Sequence, residues 1–200
     1  MHVGAFPRWV PILTVQGYAI FTFDSFRARG YSGVCASQAV TPGDRAADVL
    51  AAAALLAGRP DVRPDRIAVI GWSHRGSASV YVARDRMDLR PLRAQLAARC
   101  GRVAAGIGLY PICRSPEGSR VIVLPFALSG TLDDWNPEAP CVALANMPAD
   151  RLVTVPVCPG SGRGAAPMPK TTSFPFPMSP SPPLLPRSSG PIARPLEGYG

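Results

Sequence analysis

The sequence predicts an α/β protein, a parallel sheet flanked by helices, with an irregular C-terminal tail. Three observations carry that reading. The strand-like segments are continuous apolar runs instead of alternating ones, as in sheets covered on both faces. They alternate along the chain with helix-like segments, the order that builds parallel sheets. After Cys158 both patterns dissolve into Pro-, Gly- and Ser-rich sequence.

The elements follow in order. Residues 17–23, Gly-Tyr-Ala-Ile-Phe-Thr-Phe, read as a buried strand ended by Asp24-Ser25-Phe26. Thr41-Pro42 opens a helix over 43–57, and Gly58 with Pro60 closes it. Residues 66–71 form a second buried strand, followed by helices over 75–87 and 91–99, the latter ended by Gly101. Strands are expected at 103–110 and 121–128, although Pro125 removes a ladder hydrogen bond from the second. A short helix over 137–147 and a strand over 151–157, weakened by Pro156, complete the pattern. This sets a domain over residues 1–158 and a tail over 159–200. Half of the 24 prolines fall between 156 and 200, and no apolar face repeats there, so the tail is expected to be disordered.

Composition narrows the function classes. The net charge of +8 comes almost wholly from arginine, since Lys170 is the single lysine. The arginines are scattered and sit beside acids, as in Asp65-Arg66 and Arg84-Asp85-Arg86. A nucleic-acid surface would cluster them with exposed aromatics, so no nucleic-acid partner is expected. The five cysteines form no CxxC pair and have no His-rich partner set, which argues against zinc. Their odd number argues against a fully paired disulfide framework, and buried free thiols are the favoured reading. No apolar stretch is long enough for a membrane span. No signal peptide is read at the start, so a cytoplasmic location is expected.

One segment names a reaction. Residues 67–76, Ile-Ala-Val-Ile-Gly-Trp-Ser-His-Arg-Gly, place a serine just past a strand and at the start of a helix. This is the layout of a nucleophile elbow, a sharp corner that lifts a serine hydroxyl above a sheet. Asp24 and Asp133 also lie just past expected strand ends, where parallel sheets carry their active residues. Such a serine needs a base, commonly a downstream histidine. The two histidines are His2 and His74, and neither follows the elbow at a distance.

With these segments in place the chain resembles the dienelactone hydrolase family of α/β-hydrolases over residues 9–160. The matching residues are Gly17-Tyr18-Ala19 with Asp24-Ser25-Phe26 and Arg29-Gly30; Arg66-Ile67-Ala68-Val69 with Gly71-Trp72-Ser73-His74; and Gly130 with Leu132-Asp133-Asp134-Trp135 and Pro137. The resemblance implies an α/β-hydrolase sheet, hydrolysis of an ester or lactone, and no metal or organic cofactor. It implies Ser73 as nucleophile and Asp133 as the acid that orients a histidine, with Asp134 as the competing acid. The chain departs from the family pattern at four places. Arg163 stands where the base is expected, in Pro159-Gly160-Ser161-Gly162-Arg163-Gly164, and arginine cannot take a proton. Arg75 occupies the second glycine's place in Gly-x-Ser-x-Gly, where it is expected to crowd the turn or to hold a substrate carboxylate. Only sixteen residues precede Gly17, so the sheet is expected to be truncated at its N-terminal edge. The sequence diverges after about residue 160.

The remaining candidates carry paired readings. His74 is expected to give its backbone N–H to an oxyanion hole and is badly placed to serve as base to the adjacent Ser73. Arg29 either holds a substrate carboxylate or makes a loop salt bridge. Asp24 is expected to organise its loop. Trp72 and Trp135 either line the pocket or pack in the core, core being favoured. Cys35 and Cys141 lie in segments that resemble the family and could approach each other, with no disulfide assigned, and Cys113 is read as a core thiol. The expected function is therefore a hydrolase of small ester or lactone substrates, impaired by the missing histidine. A non-catalytic remnant of the fold, truncated or frameshifted, or a passive binding protein is the alternative. A proline-rich interaction protein is a third reading, resting on the tail alone.

Overall fold

The computed structural model describes residues 6–32, 37, 39–113, 120–146, 155 and 157–159. The chain partitions into Met1–Ala166 and Pro167–Gly200, and every described residue belongs to the first unit. The expected disordered tail, Cys35 and Arg163 lie outside the described residues.

The described strands are β1 (Ile67–Trp72), β2 (Val103–Leu109), β3 (Leu124–Gly130) and β4 (Val157–Cys158). They form one parallel sheet in the order β1-β2-β3-β4. Among the described residues five α-helices accompany them: α1 (Phe6–Val15), α2 (Pro42–Ala57), α3 (His74–Val82), α4 (Arg90–Ala97) and α5 (Ala139–Ala145). Helix α3 packs on β1 and β2, and α2 packs on α3 and α4. Ala46, Leu50 and Ala53 of α2 meet Val82, Ala83, Leu89, Leu96 and Val103 in the larger core cluster. Val80, Cys113, Val121, Ala127, Cys141 and Leu144 form a second. The α/β reading therefore holds, and parallel strands bring all their C-terminal ends to one rim.

Helix α2 matches its expected bounds because its start is strongly specified. Thr41 accepts a hydrogen bond from the Asp44 N–H, and Asp44 accepts one back from the Thr41 N–H, a full capping box, with Pro42 preset for the first turn.

Several expectations need correction. Residues 18–24 form no strand; Tyr18, Phe21 and Phe23 are exposed there, and β1 has no partner on its outer side among the described residues. Apolar content alone does not make a strand when no ladder accepts it. Helix α1 was not foreseen, because Pro11 lies inside it and proline reads as a helix breaker. The helix expected over 75–87 stops at Val82, and Arg84 instead forms an antiparallel bridge with Val121. Among the described residues β4 pairs with Ser129 and Gly130, away from Pro125. At Pro125 strand β3 has β2 as its one neighbour among the described residues, so the missing N–H breaks no described ladder on the other side.

The cysteine reading is also corrected. Cys113 and Cys141 are joined in a disulfide, with Cα atoms 4.9 Å apart, inside the range that the bond requires. Both are buried, and the loop that follows β2 is thereby tied to α5. Cys100 is free and exposed. Among the described residues no helix is long and apolar enough to cross a membrane.

Candidate active site

Ser73 caps α3 with φ 52° and ψ −124°, a backbone region that side chains with a Cβ avoid. The sharp corner exists because its neighbours lock it. The Ser73 N–H donates to the Leu109 carbonyl at the end of β2 (2.8 Å). Its own carbonyl accepts from the Ser77 N–H (2.9 Å) and the Ser77 Oγ (3.2 Å). Ser77 Oγ in turn accepts from the Ile112 N–H (2.8 Å), tying the corner to the loop after β2.

Two glycines make room for it. A Cβ on Gly71 would lie 2.4 Å from the Arg75 carbonyl carbon and oxygen. One on Gly76 would lie 2.9 Å from the Gly71 oxygen and 3.1 Å from Leu109 backbone. Gly76 thus provides the close approach expected of position 75. The Arg75 side chain is exposed, so the crowding expected of it does not occur.

Asp133 follows β3 and is buried, whereas Asp134 is exposed. Its Oδ1 accepts from the N–H groups of Trp135 (3.2 Å) and Asn136 (3.0 Å), which fixes the loop around the carboxylate. Asn136 Nδ2 then donates to the Tyr110 carbonyl (2.9 Å). Tyr110 is fully buried, has φ 52°, and follows β2 directly. The rim therefore reads Ser73, Tyr110, Asp133 across β1, β2 and β3. Strands two apart in a sheet are separated by about 10 Å, room for one group between serine and carboxylate.

His74 is half-buried, and its Nδ1 lies 3.3 Å from Nη1 of Arg45. Burial first, then the Arg45 and Arg75 charges, push its pKa below the ordinary histidine value. Arg45 comes from α2, is buried, and stacks its guanidinium on the Phe26 ring at 4.7 Å. Burial and then Arg75 lower its pKa to about 10. Sequence reading missed Arg45; the available signal was its place on the α2 face next to the buried Ala46.

The other candidates make contacts of their own. Arg29 is held by Asp48, with Nη1 and Nη2 at 2.7 and 2.8 Å from its carboxylate, and Nη1 also donates to the Ser25 carbonyl. The salt-bridge reading describes this contact. Asp24 Oδ1 accepts from the Phe26 N–H (2.7 Å), organising its loop. Trp72 packs edge-on against Trp9 of α1 at 5.6 Å. Trp135 is 67% exposed, so its expected core position is corrected. Among the described residues no group of three or more His, Cys, Asp or Glu could hold a metal ion.

No family model and no curated protein matches the chain. Among solved structures it is similar to MGS-M1, an alpha/beta hydrolase enzyme from a Medee basin deep-sea metagenome library. The identity is 22% and the TM-score 0.39, over 64% of this chain and 54% of that one. The chain spans about half the length of that structure.

Proposed function

We propose that the chain carries the acyl-transfer site of a serine hydrolase similar to the dienelactone hydrolases, acting slowly on a small ester or lactone. The observation that supports this most is the backbone of Ser73, φ 52° at a strand-turn-helix corner. Strain of this kind costs about 1–3 kcal/mol and concentrates at active sites. In the proposed step Ser73 Oγ attacks the acyl carbon. The N–H of His74, at the start of α3 where N–H groups have no intrahelical acceptor, holds the oxyanion. The serine proton passes to solvent, the alkoxide or lactone oxygen leaves, and water then hydrolyses the acyl-serine. Asp133, buried on the same rim, supplies the negative charge that would face a cationic base; its burial supports it over the exposed Asp134.

The alternative is a non-catalytic remnant or passive binding protein. The Nδ1 contact of His74 with Arg45 favours it, because a base engaged by a cation cannot accept the serine proton. A serine-directed fluorophosphonate probe and single-turnover hydrolysis of p-nitrophenyl acetate separate the two. The hydrolase reading expects slow labelling that vanishes in Ser73→Ala. With no imidazole base, the rate should climb about tenfold per pH unit with no plateau near pH 6–7. A folded wild type that never labels is the binding protein or remnant. The cytoplasmic location fits a thiol pair kept reduced, whereas the Cys113–Cys141 bond fits an oxidising compartment. Thiol alkylation and mass spectrometry of protein from its native source decide between them.

A further inference from the structure

We infer that Arg45 is a positioning residue that withholds His74 from base duty: its Nη1 donates to His74 Nδ1 and keeps the imidazole proton on Nε2. This rests on the reading of Ser73 as nucleophile. Arginine carries donors only, so the 3.3 Å contact is a hydrogen bond only when Nδ1 offers its lone pair. The hydrogen bond at one ring nitrogen sets the tautomer at the other. Nε2 is buried and has no hydrogen-bond partner among the described residues, so nothing there competes for the proton. The imidazole, on the residue next to Ser73 in the chain, is then left with no free lone pair to give.

The guanidinium has its own reasons to stay. The Phe26 ring lies beneath it, and Asp48 and Asp24 attract it electrostatically. The Asp48 carboxylate is bound by Arg29, and no ion pair holds Arg45 among the described residues. Arg75, on His74's own helix, adds a second positive charge. Among the described residues the two charges that act on His74, Arg45 and Arg75, both disfavour a protonated ring.

The test is long-range proton–nitrogen NMR of histidine-labelled, full-length protein from pH 5 to 8, with His2 assigned by His2→Gln. Wild type, Arg45→Met and Arg45→Lys are compared, each beside its Ser73 labelling rate. The wild type should show His74 with its proton on Nε2. Arg45→Lys should keep that tautomer, because a cation remains. In Arg45→Met the midpoint should rise toward that of a free imidazole, and labelling at pH 7 should increase about tenfold or more. Wild-type His74 protonated on Nδ1, or a midpoint unmoved in Arg45→Met, overturns the inference. So does an imidazole that titrates freely while labelling stays flat, since reach would then be what keeps it from Ser73. Should Arg45→Met not fold, the wild-type tautomer and its retention in Arg45→Lys decide. Absence of labelling in all three proteins removes the nucleophile reading instead, and the tautomer still decides the role of Arg45.

Discussion

Ser73 sits in a conformation that glycine would adopt freely and serine adopts only under constraint. The constraint is the backbone of Gly71 and Gly76, which leaves no space for a methyl group. Gly71→Ala would press its Cβ into the Arg75 carbonyl, which belongs to regular helix and cannot swing aside. Overpacking of this kind costs about 1–3 kcal/mol. The expected result is a stability lower by that amount, read as a lower urea midpoint at unchanged slope, together with loss of Ser73 labelling. An unchanged midpoint would show that the corner is looser than its contacts require. The serine was legible in sequence because a strand, a glycine and a helix start flank it. The second glycine was not, because Gly76 comes one position late and only the three-dimensional approach of Leu109 reveals its use. His74 adds a pH signature. Its folded pKa is lowered, so the unfolded state binds more protons below about pH 6.5. Stability should fall as pH drops through that value and recover above it, and Arg45→Met should flatten the dependence.

Helix α2 carries Arg45 toward the elbow, and its first turn decides where that side chain begins. The Thr41–Asp44 capping box precedes Arg45 by one residue. Removing the hydroxyl with Thr41→Ala should cost about 1 kcal/mol, read as a lower urea midpoint with an unchanged slope. The Thr41 side-chain and backbone hydrogen bonds hold the Asp44 carboxyl below the usual carboxylate range. A depressed carboxylate contributes stability that is present above about pH 3.9 and lost as pH falls through its folded value. The Thr41→Ala deficit should therefore shrink in strong acid. The start of α2 was readable because capping chemistry is local. The segment 17–23 was misread because a strand is not local: its β-branched and aromatic residues need a ladder. Non-locality also helped Pro11 to hide α1, whose Trp9 packs on Trp72, sixty-odd residues away.

Across the whole molecule, the order of strands sets what can meet. Ser73 and Asp133 share a rim because β1, β2 and β3 are parallel and adjacent, an arrangement that alternating helices and apolar runs do foretell. The Cys113–Cys141 pair was not foretold, since its partners lie on either side of β3 and five cysteines offer many pairings. Its consequence is measurable. Closing a segment of 28 residues removes unfolded-state entropy worth about 3–4 kcal/mol at 25 °C in the chain-entropy account. For a chain of this size each kcal/mol moves the melting temperature by about 2–4 °C, so refolding under reductant should lower it by roughly 10 °C. The comparison uses one sequence, oxidised and reduced, so the packing of both side chains is retained and only the cross-link differs. Ser73 labelling should survive reduction below the new melting temperature, because β1, Leu109 and Ser77 hold the elbow without help from the bond. An unchanged melting temperature after complete reduction would mean that the loop after β2 and α5 are already held together by their packing, with Asn136 on the Tyr110 carbonyl and Cys141 Sγ against the Pro111 carbonyl as remaining contacts.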